Sequence, residues 1–217
     1  MGLMNGKKAL IVGVANERSI AWAIAQAFKA EGAELAFTYQ GPTMEKRVRP
    51  LAEEIGAKLC LDMDASHDDQ IAAACAAIGE QWGQLDTLVH SIAYAPREAL
   101  EGRFTDATTR EAFRIALDVS AYSLIGMARA AKPIMKPGSS IVTMTYYASE
   151  KVVTNYNVMA IAKAALECSA RYLAQDLGQD GIRVNAISAG PLKTLAAAGI
   201  RGFRSMLGAN AEKTPLK

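Results

Sequence analysis

The stretch ALIVGVANERSIAWAIAQAFKAEG, residues 9–32, decides the fold class of this chain. Its opening part, residues 9–14, is a short apolar run typical of a strand that is buried on both faces. In the part that follows, Ile20, Ile24 and Phe28 recur at the spacing of one face of an α-helix. A buried strand that leads through a short loop into a helix favours an α/β fold.

The same alternation of strand and helix continues along the chain. Further apolar runs that favour strands lie at 34–39, 58–61, 87–92, 140–144 and 183–188. Segments with helical periodicity lie between them, near 44–55, 68–82, 109–132 and 157–177. Because strands buried on both faces need helices on both sides, the pattern predicts a doubly wound parallel sheet of the Rossmann type. We expect residues 1–217 to form a single dinucleotide-binding domain, since a chain of 217 residues is long enough for one sizeable core but short for two.

The composition argues against several classes of protein. The net charge of +2 gives no indication of nucleic-acid binding. Cys60, Cys75 and Cys168 are too few and too scattered for a disulfide framework or a metal site, and we expect them to be small core residues. Of the histidines, His90 is expected in the core and His67 in solvent. The N-terminal apolar run is far shorter than the roughly 20 residues of a membrane span, so we expect a reduced, soluble, cytoplasmic protein.

Residues of unusual chemistry cluster where the predicted strands end. In a doubly wound sheet, ligands bind beyond the carboxyl ends of the strands. Gly13 follows the first strand and Ser19 is placed as the N-cap of the next helix, an arrangement that suits a dinucleotide pyrophosphate. The loop lacks the G-x-G-x-x-G pattern, and a Gly13 that only makes a tight turn is an equally good interpretation.

The end of the second strand bears on the choice of cofactor. An acidic residue commonly binds the ribose 2′-hydroxyl there, but this chain has Gln40, and no basic residue before Lys46 would neutralise a 2′-phosphate. We therefore expect NADH in preference to NADPH. Asp64, after the third strand, is expected either to bind the adenine amino group or to be an ordinary loop residue or the N-cap of the helix that starts near Asp68.

Two tyrosine–lysine pairs compete for a catalytic role. Tyr156 and Lys163 are seven residues apart, which in an α-helix corresponds to about 700° of rotation and a rise of about 10 Å along one face. That separation is suitable if a nicotinamide ribose lies between the two side chains. Tyr147 and Lys151 lie in a stretch with consecutive β-branched residues and no helical periodicity, so their spacing is interpreted as accidental.

Six stretches together resemble the short-chain dehydrogenase/reductase superfamily, and within it the bacterial NADH-dependent enoyl-acyl-carrier-protein reductases. They are GVANERSIA at 13–21, GAELAFTYQ at 32–40, LDTLVHSIAYAP at 85–96, SIVTMTYYAS at 140–149, YNVMAIAKAALE at 156–167 and GIRVNAISAGPLKT at 181–194. That branch has a G-x5-S first loop, and a Tyr-x6-Lys pair where the superfamily usually has Tyr-x3-Lys.

The resemblance implies hydride transfer from NADH to the β-carbon of a trans-2-enoyl thioester. Tyr156 would donate a hydrogen bond to the thioester oxygen as negative charge develops there. Lys163 would bind the nicotinamide ribose, and its positive charge would favour a proton-ready Tyr156. Tyr146 matches the other active-site tyrosine of the family, which lines the acyl pocket.

The resemblance also implies two sets of binding residues, and no metal ligands. The cofactor set comprises Gly13, Ser19, Ile20, Gln40, Asp64, Ser91, Ile92, Ala93, Lys163, Leu192 and Thr194. The substrate set comprises Tyr146, Tyr156, Met159, Ala95, Phe203 and Met206. Two members have plain structural alternatives: Ser91 as a small residue at a strand end, and Thr194 as a helix N-cap.

The C-terminal part of the chain carries the expected partner contacts. From Lys193 onward the sequence has five basic residues and one acidic residue, which suits an acidic partner. The amphipathic segment 195–207 is either a helix that covers the core edge or, as the resemblance implies, a substrate flap at about 193–208. The family implies acyl carrier protein as the partner and a homotetramer in the full-length form. We also expect the last strand of the family to be missing from this chain.

Two other functions remain open from the sequence. A ketoacyl or other carbonyl reductase of the superfamily would need the Tyr-x3-Lys pair, but Ala160 occupies the lysine position. A catalytically silent dinucleotide-sensing protein would bind NADH without turnover, and retention of both Tyr156 and Lys163 argues against it.

Overall fold

A parallel β-sheet forms the centre of the computed structural model, which describes residues 2–195 and the single positions 197, 208, 212 and 215. Its strands are β1 (Lys8–Val12), β2 (Glu34–Tyr39), β3 (Leu59–Asp62), β4 (Leu85–His90), β5 (Met135–Thr145) and β6 (Arg183–Ser188). Their order in the sheet is β3-β2-β1-β4-β5-β6, and every neighbouring pair is parallel. This is the doubly wound arrangement that the sequence predicts.

Helices connect the strands and cover both faces of the sheet. They are α1 (Ile20–Ala30), α2 (Gly41–Glu54), α3 (Asp68–Trp82), α4 (Phe104–Ala107), α5 (Arg110–Leu117), α6 (Ser123–Ala131) and α7 (Val158–Leu177). Short 3₁₀ helices span Arg97–Leu100, Lys132–Ile134, Tyr147–Ser149 and Gly178–Asp180, and a π-turn spans Asp118–Tyr122. No described helix has the length and apolarity needed to span a bilayer.

Successive residues of the strands point to opposite faces and so build two cores. Ile11 and Phe37 pack against α1 and α2 through Trp22 and neighbouring apolar side chains. Leu10 and Leu88 instead pack against α3, α6 and α7 on the other face. Burial on both faces explains why β1, β2 and β4 are largely apolar, while the edge strand β6 is mostly exposed.

The order of the strands reverses between β1 and β4, and the two chain segments leave the sheet close together there. Gly13 follows β1 with a φ of +102°, in the left-handed region that favours glycine. A Cβ atom at this position would collide with the backbone carbonyl of Ser91, which follows β4. Gly13 is thus required by the close approach of two strand ends, at the point where doubly wound sheets bind ligands.

Several boundaries differ from those predicted. The segment near 109–132 is not one helix, because the π-turn at Asp118–Tyr122 separates α5 from α6. Strand β5 begins at Met135, earlier than predicted, because its first residue pairs with Leu85 before a shift in register. The six strands and the helices between them otherwise lie where the apolar pattern places them.

The three cysteines are free and differ in environment. Cys75 is buried, Cys60 is half-buried, and Cys168 is exposed on α7. The prediction that all three are core residues is therefore wrong for Cys168. Of the predicted substrate flap at about 193–208, the residues that matter most, Phe203 and Met206, lie outside the described residues.

Candidate active site

A cavity of about 1310 Å³ runs along the carboxyl ends of the strands. Its walls include every predicted site residue that the structure describes, from the first loop across to α7. These are Gly13, Ser19, Ile20, Gln40, Asp64, Ser91, Ile92, Ala93, Ala95, Tyr146, Tyr156, Met159, Lys163, Leu192 and Thr194. Side chains that are far apart in sequence meet here because the carboxyl ends of parallel strands share one edge of the sheet.

Ser19 occupies the N-cap position of α1, but its hydroxyl does not cap that helix. Its Oγ instead accepts hydrogen bonds from the backbone N–H groups of Ala15, at 3.0 Å, and Asn16, at 3.1 Å. The hydroxyl therefore holds the loop between β1 and α1 in shape. At the start of α1 the N–H groups of Trp22 and Ala23 donate to the Ser19 carbonyl, so those of Ile20 and Ala21 are the ones that remain for an anion.

Gln40 and Asp64 meet at the far end of the cavity. Gln40 Nε2 donates to Asp64 Oδ2 at 2.8 Å, and the same carboxylate accepts bonds from the backbone and hydroxyl of Ser66. Burial alone would raise the pKa of Asp64, but the hydrogen bonds from Ser66 and Gln40 and the nearby His67 keep it below its usual value. The interpretation of Asp64 as the N-cap of the next helix is wrong, because His67 occupies that position.

A second carboxylate stands beside Gln40. Asp62, the last residue of β3, accepts a hydrogen bond from the backbone N–H of Gly41 at 2.8 Å. The guanidinium of Arg49 on α2 is held by Glu45 in an ion pair of 2.6 Å and donates to the Tyr39 hydroxyl. Asp64 in the cavity wall, with Asp62 near it, therefore places negative charge at this end of the cavity, from the end of β3 and the loop after it rather than from β2.

Tyr156 and Tyr146 stand edge to face in the cavity wall, with ring centroids 5.0 Å apart. Tyr156 is buried, with 8% of its surface exposed. Burial raises its pKa, and the charge of an ionised Tyr146 would raise it further. The phenol of Tyr156 thus stays protonated, and the expected acidifying effect of Lys163 is not among the causes that shift its pKa.

Lys163 is buried beside the same wall. Its Nζ donates a hydrogen bond to the Met144 carbonyl at 2.8 Å. Burial lowers the pKa of Lys163 to about 8, although the Glu167 carboxylate one helical turn away acts in the opposite direction. An ammonium group has three N–H donors, so one bond to Met144 leaves two that can reach a ligand.

The helical geometry predicted for Tyr156 and Lys163 is only partly correct. Helix α7 begins at Val158, so Tyr156 lies in the turn that precedes it rather than on the helix. Asn155 and Asn157 adopt positive φ angles of 64° and 41° in this turn. The two side chains nevertheless line the same cavity.

His90 lies behind the cavity and is fully buried, as the sequence predicts. Its Nδ1 is 2.8 Å from Thr143 Oγ1, and its Nε2 is 2.8 Å from Ser123 Oγ. The pKa of His90 falls to about 3 because of burial, and the charge of Lys163 contributes to the decrease. His90 is therefore a neutral link between β5 and α6, while His67 is exposed, also as predicted.

The loop after β6 closes the cavity on its remaining side. Leu192 is half exposed, and Thr194 Oγ1 accepts a hydrogen bond from the backbone N–H of Ala197 at 3.1 Å. Thr194 thus has the N-cap geometry that was its structural alternative. Its own hydroxyl proton is free of that bond, so the N-cap geometry is compatible with a ligand contact.

Some residues of the wall were missed by sequence reasoning. Arg97, Arg114 and Asp118 line the cavity from the segment between β4 and α6. Ser120 is buried behind this wall, where its hydroxyl accepts a hydrogen bond from the backbone N–H of Tyr94 at 2.9 Å, donates to the Tyr94 carbonyl at 3.1 Å and contacts the sulfur of Met159. The only sequence signal for this wall is a polar residue within an apolar helical segment, which is common and therefore weak.

Comparisons with known proteins agree with one another. Residues 13–217 match the family model described as enoyl-(acyl carrier protein) reductase. The chain is 53% identical over 216 residues to the enoyl-[acyl-carrier-protein] reductase [NADH] of Rickettsia felis, a match that covers 100% of this chain and 83% of that protein. It is 46% identical to the enzyme of that name from Salmonella typhimurium, again over 100% of this chain and 83% of that protein.

Solved structures give the same result. The enoyl-[acyl-carrier-protein] reductase (NADH) of Aquifex aeolicus superposes with a TM-score of 0.96 at 53% identity, covering 99% of this chain and 84% of that one. The reductase of Anaplasma phagocytophilum, solved in complex with NAD, superposes with a TM-score of 0.85 at 48% identity, covering 88% of this chain and 74% of that one.

Proposed function

The chain belongs to the enoyl-(acyl carrier protein) reductase family, and from this premise we propose how its residues carry out the reaction. It is an NADH-dependent oxidoreductase that reduces the carbon–carbon double bond of enoyl thioesters carried on acyl carrier protein, a step of fatty acid elongation. When bound, NADH supplies the hydride for the β-carbon of the thioester. The protein binds and orients the cofactor and the thioester, and it stabilises the transition state.

The cavity suits a dinucleotide together with an acyl chain. Its volume of about 1310 Å³ exceeds the 300–1,000 Å³ that is usual for pockets of drug-sized ligands. One end carries the turn at Gly13 and the N-terminus of α1, which suit a pyrophosphate. The other end carries Tyr156 and Lys163. The joint presence of these two ends in one cavity is the observation that supports the proposal most strongly.

Tyr156 is proposed to stabilise the transition state. Negative charge develops on the thioester oxygen as the β-carbon accepts hydride, and a phenolic O–H aimed at that oxygen binds it more tightly as the charge grows. The raised pKa of Tyr156 supports this role, because the group remains a donor over the working range of pH. Tyr156 thus acts as a hydrogen-bond donor rather than as a strong acid.

Lys163 is proposed to hold the nicotinamide ribose. Its bond to the Met144 carbonyl fixes the ammonium at the cavity wall, and its two other N–H donors are suited to the ribose hydroxyls. With a pKa of about 8, Lys163 is mostly charged at neutral pH and loses its charge above pH 8. Cofactor binding should therefore weaken as the pH rises through this range.

The remaining members of the binding sets are proposed to act through shape and hydrogen bonding. Ser91, Ile92 and Ala93 border the ribose and nicotinamide, while Leu192 and Thr194 border the carboxamide and phosphates. The acyl chain passes Tyr146, Met159 and Ala95, and we assign Phe203 and Met206, outside the described residues, to the same path. Met159 suits this role because its thioether adapts to a flexible chain.

A preference for NADH over NADPH is proposed from the charges near Gln40. Asp64 holds the amide nitrogen of Gln40, which leaves the amide oxygen to accept a bond from a free 2′-hydroxyl. Asp62 and Asp64 add negative charge where a 2′-phosphate would be placed. The neighbouring guanidinium of Arg49 is paired with Glu45.

We also propose where the enzyme is located, how its chain is organised and what it assembles with. We place the enzyme in the cytoplasm as one domain, with a substrate flap at about 193–208 and with basic residues after Lys193 facing the acidic carrier protein. A homotetramer is the proposed assembly of the full-length form. These proposals rest on the family and on the charge distribution of the sequence.

The experiment that tests the function is a steady-state assay followed by NADH absorbance. We expect turnover of a crotonyl thioester with NADH, and a kcat/KM with NADPH at least about tenfold lower. Turnover of an acetoacetyl thioester alone would favour the carbonyl reductase, since that substrate offers a ketone and no activated double bond. NADH binding with no turnover of either thioester would favour the silent sensor.

A further inference from the structure

Two side chains of helix α7 form hydrogen bonds with adjacent residues at the carboxyl end of β5. Lys163 Nζ donates to the Met144 carbonyl at 2.8 Å, and Thr145 Oγ1 donates to Glu167 Oε1 at 2.6 Å. Lys163 and Glu167 are four residues apart and therefore lie one turn from each other on the same face of α7. The two contacts form a clamp, defined by Met144, Thr145, Lys163 and Glu167.

Glu167 is unusual for its place in the molecule. It is only partly exposed, and it faces a sheet end where Thr145 has 7% of its surface exposed. Carboxylates seldom occupy such positions unless a partner compensates for lost hydration. Among the described residues Glu167 has no ion pair within 4.0 Å, and its hydrogen-bond partner is the Thr145 hydroxyl. A hydroxyl would equally suit a neutral amide, so the hydrogen bond alone does not account for a charged residue.

The electrostatic surroundings of Lys163 explain why position 167 carries a charged residue. Burial disfavours the ammonium form, and the Glu167 carboxylate is the neighbouring charge that opposes this effect. The other titratable groups on the elements around Lys163 are His90 behind it on β4, which is neutral, and the phenols Tyr146 and Tyr156 in the cavity wall. Asp118 and Arg114 line the same cavity from the segment between β4 and α6.

We propose that Glu167, tethered by Thr145, is a positioning residue that keeps the ammonium group of Lys163 charged and directed at the cofactor ribose. The inference rests on the proposed role of Lys163 in binding NADH. The tether matters because a carboxylate free to rotate would turn to water, where its effect on a buried charge is screened. By holding both Met144 and Thr145, the clamp also fixes the backbone that leads directly to Tyr146.

The test is the pH dependence of NADH affinity in Glu167→Gln, measured by fluorescence titration from about pH 6.5 to about pH 9.5 without thioester. Lys163 binds the ribose when charged, so affinity is high below its pKa of about 8 and falls as pH rises through it. Loss of the carboxylate makes the charged form less stable. We expect the midpoint of the fall to move down by about half a pH unit or more, with affinity within about twofold of wild type at the acidic end.

The controls separate charge from packing. Glu167→Asp keeps the charge and should retain the wild-type midpoint more closely than Glu167→Gln. Asp176→Asn removes a carboxylate from the exposed end of the same helix and should leave the midpoint unchanged. Thr145→Val keeps the carboxylate but removes its tether, and it should move the midpoint in the same direction as Glu167→Gln. If Glu167→Gln does not fold, Thr145→Val decides the question.

The outcomes distinguish this inference from the function it rests on. An unshifted midpoint, or an equal loss of affinity at every pH, would overturn the role of Glu167 and leave the reductase assignment intact. If wild-type protein binds no NADH, or if Lys163→Ala binds it equally well, the proposed role of Lys163 fails and this inference fails with it.

Discussion

The hydroxyl group of Tyr156 is one oxygen atom on a buried ring, yet the proposed mechanism depends on it. Its ring is fixed by the edge-to-face contact with Tyr146 and by burial, so the phenol has little freedom to turn away. A donor held in place before the reaction costs no reorganisation when charge develops. The effect of Tyr156 should therefore appear in the rate rather than in the binding of cofactor.

Tyr156→Phe removes only this hydroxyl. We expect kcat for a crotonyl thioester to fall about a hundredfold, equivalent to about 3 kcal/mol, because donors of this type contribute that much to transition-state stabilisation. The dissociation constant of NADH should change by less than about threefold. Steady-state kinetics and a fluorescence titration measure the two quantities. Tyr147→Phe, at a neighbouring tyrosine that is 54% exposed, is the matched control and should keep full activity.

At this scale the sequence predicts which residues face the cavity better than it predicts what each one does. Ser19, Asp64 and Thr194 all line the cavity, but of their hydrogen bonds only that of Thr194 is among the alternatives that the sequence offers. Ser19 holds its loop instead of capping α1, and Asp64 holds Gln40 instead of capping α3. A short polar side chain has several hydrogen-bond partners within reach, and only the folded backbone selects among them.

The element that shapes the cofactor end of the cavity is the turn between β1 and α1. Replacing Gly13 by any other residue would be unfavourable for two reasons. Residues with a side chain disfavour its φ of +102°, and the added Cβ would collide with the Ser91 carbonyl. Gly138 in β5 has a similar φ of +93° but open space around its Cβ position. The pair therefore allows the conformational cost and the collision to be measured separately.

Gly13→Ala should lower the free energy of unfolding by about 3 kcal/mol or more and weaken NADH binding at least about tenfold. Gly138→Ala should lower stability by only about 1 to 2 kcal/mol, from backbone strain alone, and leave NADH binding unchanged. Urea unfolding and fluorescence titration provide the measurements. Equal losses of stability in the two variants would show that the collision is relieved by movement of the β4 end.

The elements were predicted well where a single period dominates the sequence and poorly where the backbone changes its hydrogen-bond pattern. All six strands follow from short apolar runs. In β1, β2 and β4 burial on both faces leaves little choice of residue, whereas β6 is mostly exposed and β3 is half-buried. The π-turn at Asp118–Tyr122 is invisible to this reasoning, since it disturbs the helical period by less than a full turn. The predicted start of α7 near residue 157 agrees with the observed Val158, but the sequence gives no sign that Tyr156 precedes the helix in a turn, because asparagine accepts positive φ without the signal that glycine or proline gives.

The stability of the whole molecule is linked to pH through His90. The ring is neutral in the folded protein, with a pKa of about 3, whereas an unfolded chain has an ordinary histidine with a pKa near 6.5. At a pH above the unfolded-state pKa, the lowered pKa of the folded state has no effect on the free energy of unfolding. As the pH falls below about 6.5 the unfolded state binds a proton that the folded state does not, and the fold loses stability. The loss should approach about 2 kcal/mol by about pH 5.

Urea unfolding of wild type and His90→Gln at about pH 7 and about pH 5 tests this linkage. The variant loses some stability at both values from its altered hydrogen bonds to Thr143 and Ser123, but it should lose less between the two values than wild type does. His67→Gln is the control, because the ring of His67 is exposed, and it should keep the wild-type dependence. An identical decrease in wild type and His90→Gln would contradict the prediction.

The position of β1 at the middle of the sheet has a consequence for how the chain is made. Ala9 pairs with Leu35 on one side, close in sequence, but with Thr87 on the other, far along the chain. During synthesis, β1 is made long before β4, so one edge of β1 stays without its partner strand until β4 has been translated. Contacts between such distant segments form slowly. Until then the nascent polypeptide exposes an unpaired strand edge and apolar side chains, which are the features that chaperones bind on the ribosome.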